Sequence, residues 1–162
     1  MMADNIDTKT DNAHVIERTL TFSADTSAVW RYVRDFGLLL RPADAGPPPT
    51  LTGDPQSPGT ERHFAIDGGA LIKERLLAID DDERVLEYSI VDPPFPISDH
   101  HAVLRVHSTL TGLVTIVWRA EFHATSETAS ALTPMMIESF DSILRGIARS
   151  ATGDTASATS SG

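Results

Sequence analysis

The chain has 162 residues, no cysteine, and a formal net charge of −10 from 13 Lys and Arg against 23 Asp and Glu. The lack of cysteine excludes disulfides, thiolate metal sites and cysteine nucleophiles, while the negative charge argues against binding to nucleic acid or to anionic membrane surfaces. With 41% apolar and 22% charged residues, the composition is typical of one globular domain with a packed core.

The two ends of the chain differ in composition from its middle. Residues 1–13 are polar and acidic, and residues 151–162 are small and rich in Ser, Thr and Gly. Such segments bury too little apolar surface to offset the entropy of ordering, so we expect two disordered tails around a single ligand-binding domain at residues 14–150. No apolar run approaches the roughly 20 residues of a transmembrane helix, and the N-terminus lacks a signal-peptide core. We therefore expect a cytoplasmic protein.

The first third of the domain predicts a strand, two short helices and a long loop. Apolar and polar residues alternate over residues 14–22, which is the pattern of a strand. Asp25 is a suitable N-cap for the helix that follows, and the three leucines at 38–40 predict one further helical turn. Residues 41–59 contain six of the ten prolines, so this segment is expected to be a loop with room for a short strand near Leu51.

The rest of the domain predicts an antiparallel meander followed by a long helix. Turn-forming residues separate five strand-like segments. These segments are residues 61–66, 70–79, 84–91, 99–108 and 113–123. Thr133 and Pro134 then match the N-cap and first position of a helix, which we expect to run to residue 150 and to span about 25 Å at 1.5 Å per residue.

Even-numbered positions carry the apolar side chains of the meander, among them Leu76 and Ala78. Because side chains alternate between the two faces of a strand, this face is expected to be the core, covered by the helix. Four polar residues interrupt it on four consecutive strands: Arg62, Glu74, Tyr88 and His100. Burying an unpaired charge is costly, so these groups need partners, water or a ligand.

Two interpretations of these four residues are open. In the first, Arg62 and Glu74 form a structural ion pair, and water satisfies Tyr88 and His100. In the second, which we favour, the four residues form a polar patch inside an apolar cavity for a small molecule. The apolar residues assigned to the wall of this cavity are Phe64, Ile72, Ile90, Phe95, Trp118, Ala120, Phe122, Met136 and Phe140.

Several short motifs, in their order and spacing, resemble a known superfamily. They are Ala24-Asp25, Val29-Trp30, Asp35-Phe36-Gly37, Pro58-Gly59 with Arg62, residues 74–80, Tyr88-Ser89-Ile90-Val91 before Pro94-Phe95-Pro96, and residues 118–122. The chain resembles the START-related, pollen-allergen-like helix-grip proteins (SRPBCC), in the bacterial polyketide cyclase/dehydrase branch. The resemblance implies an α+β helix-grip fold, in which a strongly curved antiparallel sheet of about seven strands wraps on a long C-terminal helix, with two short helices between strands 1 and 2.

The resemblance also implies where a ligand binds. In plant hormone receptors of similar pattern, the positions that match Glu74, Tyr88 and His100 face the ligand. One segment departs from the family. After Asp35-Phe36-Gly37 many relatives carry Trp-x-Pro, whereas this chain has Leu39-Leu40-Arg41-Pro42, which predicts a differently shaped pocket wall.

The fold alone does not decide the activity, and two hypotheses follow. The first is a cofactor-independent cyclase or dehydratase for a small polyketide-like or other natural-product intermediate. Glu74 is then general base or acid, His100 takes the opposite role, Tyr88 donates to a developing oxyanion, and Arg62 orients a carbonyl or carboxylate or holds Glu74 ionised. The alternative is a non-catalytic carrier or sensor for a small hydrophobic ligand. Either protein is expected as a monomer or homodimer.

A metal site is not expected. His100, His101 and His107 invite one, but adjacent strand residues point to opposite faces, and His101 to His107 spans about 20 Å at the strand rise. Asp99 and His101 share a face without a third ligand. The sequence also lacks a nucleophile-elbow motif for Ser-His-Asp hydrolysis, so the proposed chemistry rests on the four inward polar residues.

Overall fold

A seven-stranded antiparallel sheet and a long C-terminal helix make up the fold of the computed structural model, which describes residues 11–41, 45–110 and 112–161. Across the sheet the strands follow the order β1–β7–β6–β5–β4–β3–β2. The strands are β1 (Asn12–Ser23), β2 (Thr50–Leu51), β3 (Glu61–Ala65), β4 (Leu71–Asp80), β5 (Val85–Val91), β6 (Ser98–Leu110) and β7 (Leu113–Ala124), and the helices are α1 (Thr26–Val33) and α2 (Ser126–Ser161). The predicted α+β helix-grip fold, with its curved sheet, is confirmed.

The first helix forms as predicted, but the second does not. The Asp25 carboxylate accepts the backbone N–H of Ala28 at 3.1 Å and so caps α1. The prediction of a helical turn at Leu38–Leu40 is wrong, because Asp35 closes a turn by accepting the backbone N–H of Gly37, after which the chain is irregular. Residues 42–44 of the proline-rich loop and residues 1–10 of the predicted N-terminal tail lie outside the described residues.

The long helix begins two turns earlier than predicted. Thr125 is the cap, since its hydroxyl oxygen accepts the backbone N–H of Thr128 at 3.1 Å, and Pro134 lies inside the helix. Thr133 does not cap a new helix because its hydroxyl donates back to the carbonyl of Ala129 at 2.7 Å. None of the helices in the described ranges is long and apolar enough to cross a membrane.

Regular secondary structure extends beyond the predicted domain limits, residues 14 and 150, at both ends of the described chain. Strand β1 starts at Asn12, two residues earlier than predicted. At the other end α2 continues through the predicted C-terminal tail as far as Ser161. Ala151 is fully buried, so the packed domain extends beyond residue 150.

The inner face of the sheet forms the core with α2, and one bulge changes its pattern. Leu76 pairs with Tyr88, but the next pair is Ala78 with Glu87, so the register shifts by one residue. A one-residue bulge exchanges the faces of the residues beyond it. Ile79 therefore packs against the core, and the prediction that Ala78 faces inwards is wrong.

Candidate functional site

A cavity of about 300 Å³ lies between the inner face of the sheet and α2. Strands β3, β4, β5 and β6 contribute one wall, α2 contributes the opposite wall, and Arg41 and Ala45 from the proline-rich loop contribute to the rim. A cavity of this size matches the lower end of the range for small-molecule sites. The fold thus encloses space where the sequence predicted it.

Three of the four polar residues predicted on the inner face line this cavity together. They are Glu74 on β4, Tyr88 on β5 and His100 on β6. Their exposed fractions are 7%, 1% and 7%, respectively. Strand pairing explains the convergence, because Leu76 of β4 lies opposite Tyr88, and Tyr88 lies opposite Ala102 of β6, so neighbouring inward positions bring the three side chains to the same cavity wall.

Arg62, the fourth residue, lies behind Glu74 instead of at the wall of the large cavity. The two residues are direct cross-strand partners, and Arg62 Nε donates to Glu74 Oε1 at 2.6 Å. The Arg62 guanidinium also donates to the carbonyl of Phe36 at 3.3 Å and lies 4.1 Å from the centroid of the Phe36 ring. It borders a separate cavity of about 30 Å³, room for about two water molecules.

His100 is held as a neutral hydrogen-bond donor. Its Nδ1 accepts the backbone N–H of Ile90 at 3.0 Å, so the proton of the neutral ring is on Nε2. Burial, followed by the nearby His101, lowers the pKa of His100 to about 4. Among the described residues Nε2 has no hydrogen-bond partner, which leaves this N–H available to a molecule in the cavity.

Tyr88 also keeps its proton at neutral pH. Burial, and then the negative charge of Glu74, raise the pKa of Tyr88 above its ordinary value. Trp118 Nε1 donates to the Tyr88 hydroxyl oxygen at 3.1 Å. The hydroxyl oxygen therefore has a donor from the protein, and within the described parts of the chain no acceptor takes its own proton.

The apolar wall contains most, but not all, of the residues that the sequence assigned to it. Six of the nine line the cavity: Phe64, Ile72, Ile90, Phe95, Met136 and Phe140. Trp118, Ala120 and Phe122 lie in the core instead and are at most 3% exposed. Strand β7 lies between β1 and β6, and its inward side chains belong to the core, where Trp118 also borders the small cavity beside Arg62. Trp118 stacks on Phe140 with ring centroids 4.0 Å apart.

Several lining residues were missed by the sequence analysis. They are Arg41, Ala45, Ile66, Ile97, Met135, Glu138, Ser139, Ser142 and Ile143. The helical residues among them had a usable signal, since Ser139 and Ile143 lie three and seven positions after Met136 and share its face. Arg41 had no such signal, because its place depends on contacts with distant carbonyls: it donates to Ala65 at 2.8 Å and to Pro47 at 2.7 Å.

The described residues bring no three His, Asp or Glu side chains together as a metal site. His101 pairs with Glu87, with His101 Nε2 and Glu87 Oε1 2.8 Å apart on the outer face of the sheet. His100, from the adjacent position, points into the cavity. The two neighbouring imidazoles therefore lie on opposite faces of the sheet, as strand alternation requires.

Comparisons with known proteins agree with this architecture. A family model described as polyketide cyclase/dehydrase and lipid transport matches residues 13–151. A solution structure from Thermobifida fusca shares 34% identity with a TM-score of 0.74, covering 83% of this chain and 91% of that one. Norcoclaurine synthase from Thalictrum flavum, solved with dopamine and hydroxybenzaldehyde, has 18% identity and a TM-score of 0.74, with 89% of each chain covered.

A third structure, the protein XoxI from Bacillus cereus, has 21% identity and a TM-score of 0.71, covering 85% of this chain and 95% of that one. No protein of curated function matches the sequence. The last two structures support the fold alone, whereas the family model spans nearly the whole described domain. This chain belongs to the polyketide cyclase/dehydrase and lipid transport family.

Proposed function

We propose that the protein binds a small, mainly apolar and uncharged molecule in the cavity and catalyses proton transfer on it, as a cyclase or dehydratase. One observation carries the proposal: Glu74, Tyr88 and His100 share the cavity, and each is more than nine-tenths buried. Polar groups that converge in a mainly apolar cavity are the usual make-up of a small-molecule site. A ligand with its own donors and acceptors would complete their hydrogen bonding.

In the proposed mechanism one residue moves a proton and two residues donate hydrogen bonds. Glu74 removes a proton from the carbon next to a substrate carbonyl, and the electron pair moves to the carbonyl oxygen to form an enolate. His100 Nε2–H and the Tyr88 hydroxyl donate hydrogen bonds to this oxyanion. In a dehydration, the electron pair returns to form the carbon–carbon double bond, while the β-hydroxyl takes the proton from Glu74 and leaves as water. In a cyclisation, the enolate carbon attacks a second carbonyl, whose oxygen takes that proton.

This scheme gives His100 a narrower role than the acid or base that the sequence suggested. Its Nδ1 is occupied by the amide of Ile90, and a pKa of about 4 keeps the imidazole neutral near pH 7. A neutral imidazole N–H polarises a carbonyl without delivering its proton. Glu74 is therefore the group that we propose moves the proton.

The Arg62–Glu74 ion pair favours a second candidate, a non-catalytic carrier or sensor for the same class of ligand. A carboxylate held at 2.6 Å by a guanidinium has one oxygen already engaged in a charge-assisted hydrogen bond, as in a structural ion pair. In this candidate the second Glu74 oxygen, His100 and Tyr88 act only as hydrogen-bond anchors. Both candidates bind the same class of ligand in the cavity, and they differ in whether the protein converts that ligand chemically.

The test first finds ligands and then looks for turnover. Neutral aromatic and linear polyketones and β-hydroxyketones are screened by displacement of the neutral fluorescent probe N-phenyl-1-naphthylamine. Compounds that displace it are incubated with the protein and followed by mass spectrometry for loss of water and by absorbance for new conjugation. We expect turnover that Glu74→Gln abolishes and that Glu121→Gln, a control at an exposed residue that does not line the cavity, leaves unchanged.

The possible results separate the candidates. Compounds that bind but are recovered unchanged support the carrier and exclude the enzyme for the classes tested. Turnover that survives in Glu74→Gln removes Glu74 from the mechanism. If neither the probe nor any compound binds, the proposal that the cavity is a ligand site is wrong.

A further inference from the structure

Strand β6 contains an extra residue beside the cavity. Ser98 pairs with His123 of β7, and the next pair is His101 with Glu121. Asp99 and His100 together therefore stand opposite one residue of β7, Phe122. Two residues facing one define a β-bulge, and this bulge lies at the point where β6 reaches the cavity.

The bulge depends on an unusual backbone conformation at Asp99. Its φ angle is +52°, in the left-handed region that residues other than glycine, asparagine and aspartate rarely adopt. The Asp99 side chain is exposed, so its effect on the cavity passes through the backbone. Backbone conformations of this kind cluster at functional sites, where the surrounding structure holds them in place.

The bulge decides which residues at the start of β6 and just before it face the cavity. With strict alternation, the inward positions before Ala102 are 100 and 98, and Ile97 points outwards. The extra residue exchanges the faces beyond it, so Ser98 is exposed and Ile97 is buried. Ile97 and His100, three positions apart, consequently line the same cavity.

The bulge also coincides with the end of the ladder between β5 and β6. The last pair of that ladder is Tyr88 with Ala102, so the backbone N–H of Ile90 lies beyond it. His100 Nδ1 accepts a hydrogen bond from this N–H at 3.0 Å. The side chain thus replaces a ladder hydrogen bond, and this contact directs Nε2–H into the cavity.

We propose that Asp99 is a positioning residue: its left-handed backbone forms the bulge that places Ile97 and His100 together on the cavity wall and holds the His100 donor towards the ligand. The role in ligand binding rests on the proposed function, whereas the placement of His100 is a property of the free protein. The two parts are therefore measured separately.

The experiment replaces Asp99 by residues that differ in their tolerance of positive φ. Asp99→Gly and Asp99→Asn accept the left-handed conformation, and Asp99→Val resists it because its β carbon is branched. In the free protein, NMR reports the hydrogen exchange of the Ile90 amide and the tautomer of the His100 ring. We expect Asp99→Val to accelerate Ile90 exchange about tenfold, the factor that corresponds to the cost of a left-handed residue, and to mix the tautomers. The Gly and Asn variants retain wild-type behaviour.

Arg84→Val is the matched control. Arg84 also has a positive φ, +54°, but it precedes β5 at the end opposite Ile90 and does not line the cavity. It carries the same kind of backbone strain, so we expect a loss of stability without a change in the His100 signals. If Asp99→Val fails to fold, Asp99→Ala supplies the milder version of the same substitution.

The outcomes separate positioning from function. Unchanged Ile90 exchange and an unchanged His100 tautomer in folded Asp99→Val overturn the positioning role, as does an equal change in Arg84→Val. Altered His100 signals together with weaker binding of N-phenyl-1-naphthylamine support both parts. Altered signals with unchanged probe binding support the positioning role and count against His100 as a ligand contact.

Discussion

Replacing Arg62 by methionine removes the counter-ion of a buried carboxylate. The two side chains are only 7% and 9% exposed, and Arg62 Nε and Glu74 Oε1 are 2.6 Å apart. Breaking a buried ion pair from one side costs about 3–5 kcal/mol, because the remaining charge stays buried without a partner. Arg62 also lies over the rings of Phe36 at 4.1 Å and Tyr88 at 5.3 Å, which adds to the loss.

The expected effect is a large part of the total stability. Domains of this size unfold with a free energy of about 5–15 kcal/mol, and each kcal/mol shifts Tm by about 2–4 °C. Arg62→Met is therefore expected to lower Tm by about 6–20 °C. The double variant Arg62→Met/Glu74→Leu is expected to recover most of this loss, because two apolar side chains replace the pair without leaving a buried charge.

Urea unfolding measures the effect for Arg62→Met, for Glu74→Leu and for the double variant. We expect the midpoint to fall while the slope stays constant, since the surface exposed on unfolding is unchanged. Arg18→Met is the control: Arg18 binds Asp141 through two hydrogen bonds of 2.8 Å but lies at the surface, where ion pairs contribute little. A midpoint change in Arg62→Met as small as that in Arg18→Met, or additive losses in the double variant, would refute the argument.

Three further predictions concern the helix, the stacked aromatic pair and pH. A β carbon on Gly146 would lie 2.9 Å from the carbonyl oxygen of Leu40, whereas one on Gly153 meets nothing within 4 Å. Gly146→Ala should thus destabilise the protein by about 1–3 kcal/mol and Gly153→Ala should stabilise it by up to about 1 kcal/mol; thermal unfolding that ranks them in reverse order contradicts the close approach. Phe140→Ala empties one side of an aromatic stack and should cost about 3–5 kcal/mol in urea unfolding, and a loss below about 1 kcal/mol means that the stack does not form. The pKa of His100 is lowered to about 4 in the folded protein from 6.5, so the unfolded chain takes up the proton first; stability is complete above pH 6.5 and falls by about 3 kcal/mol as the pH drops to 4. In His100→Asn that part of the pH dependence should disappear, and an unchanged slope between pH 6.5 and 4 would show that another group causes it.

Local patterns were sufficient to predict the order of the elements and the inward polar residues. Alternation over two positions and the turn residues between the segments depend only on neighbouring residues, and they located six of the seven strands; the proline-rich loop only left room for the seventh near Leu51. The same counting put Glu74, Tyr88 and His100 on one face. The cap pattern Thr133-Pro134 predicted a helix start there, and this prediction was wrong, because a proline at the first helical position and a proline inside a longer helix look alike locally. The hydrogen bond from Thr133 to Ala129 distinguishes the two cases.

Register and close packing were decided by the tertiary structure. A bulge arises from the pairing of two strands. The alternation along one strand therefore could not show that Ile79 faces the core instead of Ala78, or that the bulge at Asp99 forms. The same holds for the division between core and cavity, which puts Trp118 in the packed part of the sheet and Arg62 behind Glu74. The sequence by itself determined the strands, the covered face and the polar residues on that face, because these follow from interactions along the chain. Only the folded sheet, by bringing β3 to β6 against α2, decided which of those residues enclose empty space and which fill the core.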